Sequence, residues 1–201
     1  MRSTRRLTND VLNADRFIAR SSDAERWLAA RAAGVSATAV ARAATPAGFA
    51  AEVEARRNPR PVEPTREMLF GVESEPVLME YAHRVHGVLP NDWLICGDDP
   101  AHIATPDGLS LDHALIAEAK TTGKDWGGKP PIQYRRQVQW QLHVTGAAAC
   151  LLLWNVRVPD GEWFRLAWFE PKTLLVRRDE KTIGDLVGVA SRLLAADVAA
   201  I

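Results

Sequence analysis

A chain of 201 residues with 47% hydrophobic and 25% charged residues can bury a real core, which excludes a largely disordered polymer. Its 25 basic and 25 acidic residues cancel, so no whole-molecule field attracts nucleic acid and any such attraction must be local. Two cysteines, Cys96 and Cys150, exclude a disulfide framework and a four-cysteine iron–sulfur cluster.

The absence of a signal peptide and of an apolar run near about 18 residues predicts a cytosolic protein with no membrane partner. One domain over residues 1–201 is expected, with the Arg-rich first 20 residues as a loose basic arm. Ser22-Asp23-Ala24-Glu25 reads as a capping box that starts a helix ending at Gly34. A short helix over 36–44 follows, and Thr45-Pro46 opens another that runs to about Arg57. The proline-rich residues 58–64 connect to a long helix from Thr65 to Gly87, with a bend expected at Pro76. Glu67, Gly71 and Glu75 share one of its faces.

Three short strands are predicted between Trp93 and Lys120, then a Gly/Lys/Pro loop over 121–131. Residues 132–146 have helical spacing, with Tyr134, Gln137 and Gln141 in one stripe and Val138, Leu142 and Thr145 in another. Strands over 147–156 and 163–169 joined by Pro159-Asp160-Gly161, and a last helix from about Thr182, complete the chain. A helix crossing between strands implies an α/β fold with a mixed central sheet flanked by helices.

The chemistry concentrates in residues 105–120. In an extended strand Ile116, Glu118 and Lys120 share one face while Leu115, Ala117 and Ala119 share the other. A hairpin turning near Asp112 and His113 places Asp107 opposite Glu118, with Cβ atoms about 5 Å apart. Two carboxylates at that range repel unless a cation lies between them, and hard oxygen donors suit Mg²⁺, with Mn²⁺ able to substitute. A neighbouring lysine can orient water and offset charge developing on phosphorus, so the set points to phosphodiester hydrolysis. The bland alternative is a polar hairpin edge.

Asp107, ten intervening residues, then Glu118-Ala119-Lys120 resembles the signature of the PD-(D/E)XK nuclease superfamily. The ordered blocks over 31–40, Phe70-Gly71 through Gly87, 105–109, 118–120 and Tyr134 through Thr145 resemble, more narrowly, the phage lambda exonuclease and YqaJ-like viral recombinase family. The resemblance implies a restriction-endonuclease-like core and a Mg²⁺-dependent exonuclease that resects linear double-stranded DNA in the 5′–3′ direction. It would work in the cytoplasm of a bacterial host, encoded by a phage or prophage, and pass 3′ single strands to an annealing protein. A ring-shaped homotrimer is a further implication.

By the same resemblance, Asp107, Glu118 and the Ala119 carbonyl bind metal, Lys120 positions or activates water, and Gln137 contacts a phosphate or a metal-bound water. Glu75, in register with Gly71, matches the family's helical metal ligand, with Glu73 and Glu80 as competitors. Arg31, with Thr38 or Ser36 as the accompanying hydroxyl, matches the segment that grips the 5′ phosphate of a DNA end. A structure-specific or restriction-like endonuclease, and a non-catalytic DNA-binding relative, are the alternative readings.

Two other motifs weaken on inspection. Residues 123–129 match half of a phosphate loop, but Pro130 replaces the hydroxyl residue and Pro130-Pro131 removes two amide donors. His83 and His86 lie one helical turn apart without a cysteine at zinc-ligand spacing.

Overall fold

Capping chemistry sets most element boundaries in the structure, a computed structural model that describes residues 12–198. After a 3-10 turn at Ala14–Arg16, strand β1 covers Phe17–Arg20 and helix α1 covers Ala24–Ala33. Asp23 caps α1 in place of Ser22, because its carboxylate accepts from the Arg26 amide. Strand β2 is Val35–Ser36. Helix α2 (Ala37–Ala43) is capped by Ser36, α3 (Pro46–Arg57) by Thr45 and α4 (Arg66–His86) by Thr65. Gly87 closes α4 in the left-handed region at φ 69°, which a residue with a Cβ rarely adopts.

Strands β3 (Leu89–Pro90), β4 (Trp93–Cys96), β5 (His102–Ala104), β6 (Gly108–Leu109) and β7 (Leu115–Thr122) follow. Helix α5 (Ile132–Thr145) then leads to β8 (Ala149–Asp160), β9 (Trp163–Leu166), β10 (Lys172–Arg177) and α6 (Glu180–Val198).

The small sheet has the order β1-β4-β5-β2, and the larger one β10-β8-β7-β6-β3, with β9 also paired to β8. The central β7–β8 pair is parallel and every other pair in the larger sheet is antiparallel, so the sheet is mixed. Parallel neighbours need a crossover, and α5 provides it. One face of the larger sheet, through Ile116, Cys150 and Leu152, joins α2, α5 and α6 in a core containing Val40, Trp140 and Leu193. On the other, Ala117, Ala119, Leu151 and Leu153 meet Leu78, Met79 and Ala82 of α4. The alternation expected along β7 therefore decides which helix each residue faces.

Three expectations require correction. The loose arm does not extend to residue 20, because Phe17–Arg20 pair with β4 and bury Ala19; residues 1–11 lie outside the described residues. Four strands, not three, lie between Trp93 and Lys120: Thr105-Pro106 interrupts what reads as one stretch, sending β5 and β6 to different sheets. β10 was not anticipated, although Thr173, Leu174, Leu175 and Val176 are good strand formers on the open edge of β8. Among the described residues no helix is long and apolar enough to cross a membrane.

Candidate active site

The β6–β7 hairpin determines the geometry of the candidate site. Gly108 pairs with Ala117 and Leu109 with Ile116, and continuing that register by one residue sets Asp107 opposite Glu118. Gly108 is required by close approach: a Cβ there would come within 2.4 Å of Met79 Cε and 2.8 Å of Val88 Cγ1. Helix α4 thus lies directly against the backbone beside Asp107 and holds the strand end in place. The Asp107 amide donates to the Ala117 carbonyl at 3.0 Å, and Asp107 Oδ2 accepts from the Ala119 amide at 2.7 Å. Because residues two apart in a strand direct their peptide groups the same way, the Ala119 carbonyl points past the end of β6 on the Asp107 side.

Glu118 is 2% exposed, and both of its carboxylate oxygens accept from neighbouring donors while a lone pair remains for a cation. Gln137 Nε2 donates to Oε1 and Gln141 Nε2 to Oε2, each at 2.5 Å, and the Lys120 ammonium pairs with Oε1. These contacts explain how α5 serves the site: Gln137 and Gln141, one turn apart, face β7, while Val138 and Leu142 fill the core. The Lys120 ammonium also lies 5.6 Å from the Tyr134 ring centroid. Gln141 was not among the sequence candidates, although its spacing of four from Gln137 in the same polar stripe was the signal. Its Oε1 is buried without a partner.

The carboxylates load the site with negative charge. Burial raises the Asp107 pKa well above its ordinary value and Glu118 raises it further, against the opposing pull of Lys120. Glu75 is raised by partial burial and then by Glu118. Burial alone would lower Lys120, but Glu118 and Asp107 outweigh it and hold the ammonium above its usual range. The electrostatics also separate the helical glutamates. Glu75 is the one coupled to Asp107, Glu118 and Lys120, whereas Glu73 accepts from Trp163 Nε1 at 3.0 Å and Glu80 lines a different cavity near Arg84 and Glu170.

Among the described residues no three His, Cys, Asp or Glu side chains converge tightly enough to hold a metal alone. The donor chemistry nevertheless fits Mg²⁺, which retains waters and takes one or two carboxylates together with substrate phosphates. Asp107, Glu118 and the Ala119 carbonyl are such a set, and a divalent cation would relieve the mutual repulsion of the carboxylates.

The segment from the 31–40 block forms a separate cavity of about 500 Å³ lined by Arg31, Gly34, Ser36, Glu52, Arg56 and Arg57, among others. Arg31 stacks over Trp27 at 4.4 Å, and Arg56 Nη1 donates to the Gly34 carbonyl at 2.9 Å. Ser36 lines this cavity; Thr38 does not, because it follows the start of α2 and its position falls outside the wall. Arg56 and Arg57 join Arg31 through the fold alone, since α3 packs beside α2.

The sequence profile of the YqaJ-like viral recombinase domain matches residues 26–148, more than half of the chain. The protein belongs to the YqaJ-like viral recombinase family. Among solved structures, the alkaline exonuclease LHK-Exo from Laribacter hongkongensis aligns at 26% identity and TM-score 0.66, covering 85% of this chain and 91% of that one. The same enzyme in complex with dAMP gives 25% identity and TM-score 0.67 with the same coverage. A phage-related exonuclease from Haemophilus somnus 129PT, at 12% identity and TM-score 0.65 over 81% of this chain and 92% of that one, shares the fold. No curated protein matches the sequence. The YqaJ-like fold is thus the restriction-endonuclease-like architecture expected from the sequence.

Proposed function

We propose that this YqaJ-like protein is a Mg²⁺-dependent deoxyribonuclease, an exonuclease that resects linear duplex DNA from 5′ ends and supplies 3′ single strands to an annealing protein. The observation that carries the reading is the joining of Asp107, Glu118 and Lys120 at one strand end in a member of this family. The likeness to LHK-Exo supports exonuclease over endonuclease. The whole chain would act as one nuclease domain in the host cytoplasm, and a homotrimeric ring would retain DNA that a neutral protein attracts only weakly.

Held by Asp107, Glu118 and the Ala119 carbonyl, with the Glu75 carboxylate of α4 adding negative charge beside them, Mg²⁺ would polarise a phosphoryl oxygen and lower the pKa of water. The chain's own groups do the rest. Lys120, held protonated by its acidic neighbours, is a donor and a positive charge, so it orients the attacking water and offsets charge on phosphorus. Gln137 and Gln141 fix the Glu118 carboxylate, so that its oxygens need no reorganisation when substrate arrives. Attack by water, whose proton passes to solvent, forms a water oxygen–phosphorus bond and breaks the bond from phosphorus to the 3′ oxygen, which takes a proton from solvent. Arg31 and Ser36 would receive the terminal 5′ phosphate, the guanidinium matching its oxygens bidentately.

The test compares linear duplex with closed circular DNA, each with Mg²⁺ and with EDTA. Mononucleotides released from linear DNA alone, and only with Mg²⁺, are expected. Nicked circles would replace the reading with an endonuclease, and a shifted but uncut band with a binding protein. Light scattering at working concentration checks the trimer.

A further inference from the structure

Behind the candidate site, on the opposite side of α5, an open groove of about 480 Å³ runs between the α5 N-terminus, the 123–131 loop and the edge strand β10. Lys129, Arg135, Arg136 and Arg177 line it over an apolar floor that includes Ile132 and Leu174. None of these four cations forms an ion pair among the described residues. The acidic residue in the wall, Asp179, is committed locally: its carboxylate accepts from the Thr182 hydroxyl at 2.8 Å and from the Lys181 and Thr182 amides at 3.1 and 3.3 Å. In a chain with no net charge, four cations against the one carboxylate of Asp179 make this lining net positive.

We propose that this groove is a second DNA contact, a track for the phosphodiester backbone of the molecule engaged at the candidate site; in linking the groove to that site it rests on the nuclease reading. Three observations favour this occupant. The cations come from a loop, a helix and a strand spread along an open groove, which suits a linear polyanion better than a single small anion. The floor is partly apolar, and the sugar edge of a nucleic-acid strand can lie on such a surface. Finally, one loop joins the two places. Trp126 stacks on Trp154 at 5.2 Å and sits 5.2 Å from Tyr134, whose ring faces Lys120, while three residues later Lys129 enters the groove with its amide bonded to the Trp126 carbonyl. Asp125 anchors that loop through Trp154 Nε1 and the Lys172 ammonium. A strand leaving the site therefore meets Lys129 within one loop and the arginines across one helix, about 10 Å in diameter.

The test measures binding without cleavage, by anisotropy of a labelled 30-bp duplex in EDTA from 50 to 200 mM salt. Each phosphate that the protein no longer neutralises should reduce the slope of log K against log salt by about 0.9. The Arg135→Ala/Arg136→Ala/Arg177→Ala variant should therefore lower the slope by about 2–3 and bind at least tenfold more weakly at the lower salt. Lys129→Glu, in an exposed loop away from the core, should weaken binding in the same direction if the triple variant folds poorly. Unchanged affinity and slope in a folded triple variant and in Lys129→Glu would overturn the proposal. So would polyglutamate binding that is abolished in both variants while their DNA binding stays intact, which would assign the groove to an acidic polypeptide. Cleavage assays keep the two readings apart: groove-dependent binding with no cutting of any DNA in Mg²⁺ sinks the nuclease alone, and normal cutting with unchanged slopes sinks the groove alone.

Discussion

Glu118→Ala removes the acceptor on which three side-chain donors converge. With the carboxylate gone, Gln137 and Gln141 each lose a 2.5 Å hydrogen bond, and the Lys120 ammonium loses its ion pair. Breaking a buried pair from one side costs about 3–5 kcal/mol because the remaining charge is stranded. The Lys120 side chain is 24% exposed and Asp107 stays nearby, so a value of about 2–3 kcal/mol is expected. For a chain of this size that is roughly 4–12 °C in Tm. Cleavage should fall at least about a hundredfold, since the transition state loses a charge-organising group. The contribution of the stranded charge is isolated by a cycle with Lys120→Met. The double variant removes both charges, so it should be more stable than Glu118→Ala alone, while remaining inactive. Urea unfolding in EDTA measures the stabilities, and single-turnover cleavage of 5′-phosphorylated duplex measures the activities. A Glu118→Ala protein with wild-type stability, or a double variant less stable than the single one, would refute the idea that Glu118 is the hub of the site.

Asp107→Asn keeps an oxygen to accept from the Ala119 amide but removes a charge, so cleavage should collapse and the Mg²⁺ concentration needed for any residual activity should rise, as read from a metal titration. The same variant tests the electrostatics: burial and Glu118 raise the folded Asp107 pKa, so the folded state binds the proton more tightly than the unfolded one and this group loses stability as pH rises from about 4. In EDTA, Asp107→Asn should therefore gain urea midpoint relative to wild type between pH 4 and pH 7, and a constant difference would count against it. Arg31→Ala should erase a preference for 5′-phosphorylated over 5′-hydroxyl ends and lower turnover, measured as the ratio of initial rates on the two substrates. Ser36→Ala should reduce that ratio more than Thr38→Ala, because Ser36 alone of the two lines the cavity.

The parts legible in the sequence were those with a local cause. Thr45, Thr65, Gly87 and Gly146 mark helix ends through their own caps, and the period of two along β7 separates Ile116 and Glu118 from Ala117 and Ala119 without knowledge of the partners. The Asp107–Glu118 register was equally local, since a hairpin turning at residues 112–113 allows little freedom. What stayed hidden depended on distant chain. Phe17–Arg20 reads as the end of an Arg-rich arm until β4 offers an edge, and Arg56 and Arg57 look like a solvated pair until α3 brings them beside Arg31.

Gln141 shows where the boundary between the two lies. Its stripe was visible, but a glutamine on a helix between apolar positions has an ordinary explanation as a polar surface residue, and burial is what removes that explanation. At 1% exposure its side-chain amide donates to Glu118 Oε2. A leucine of similar size would fill the space but would leave the buried Glu118 Oε2 without its donor, a loss on the order of 1–3 kcal/mol. The Gln141 bond holds the second oxygen of the carboxylate that Gln137 and Lys120 hold at the first. The buried amide thus serves to keep Glu118 in one orientation, which is expected where a carboxylate must meet a ligand in a fixed direction.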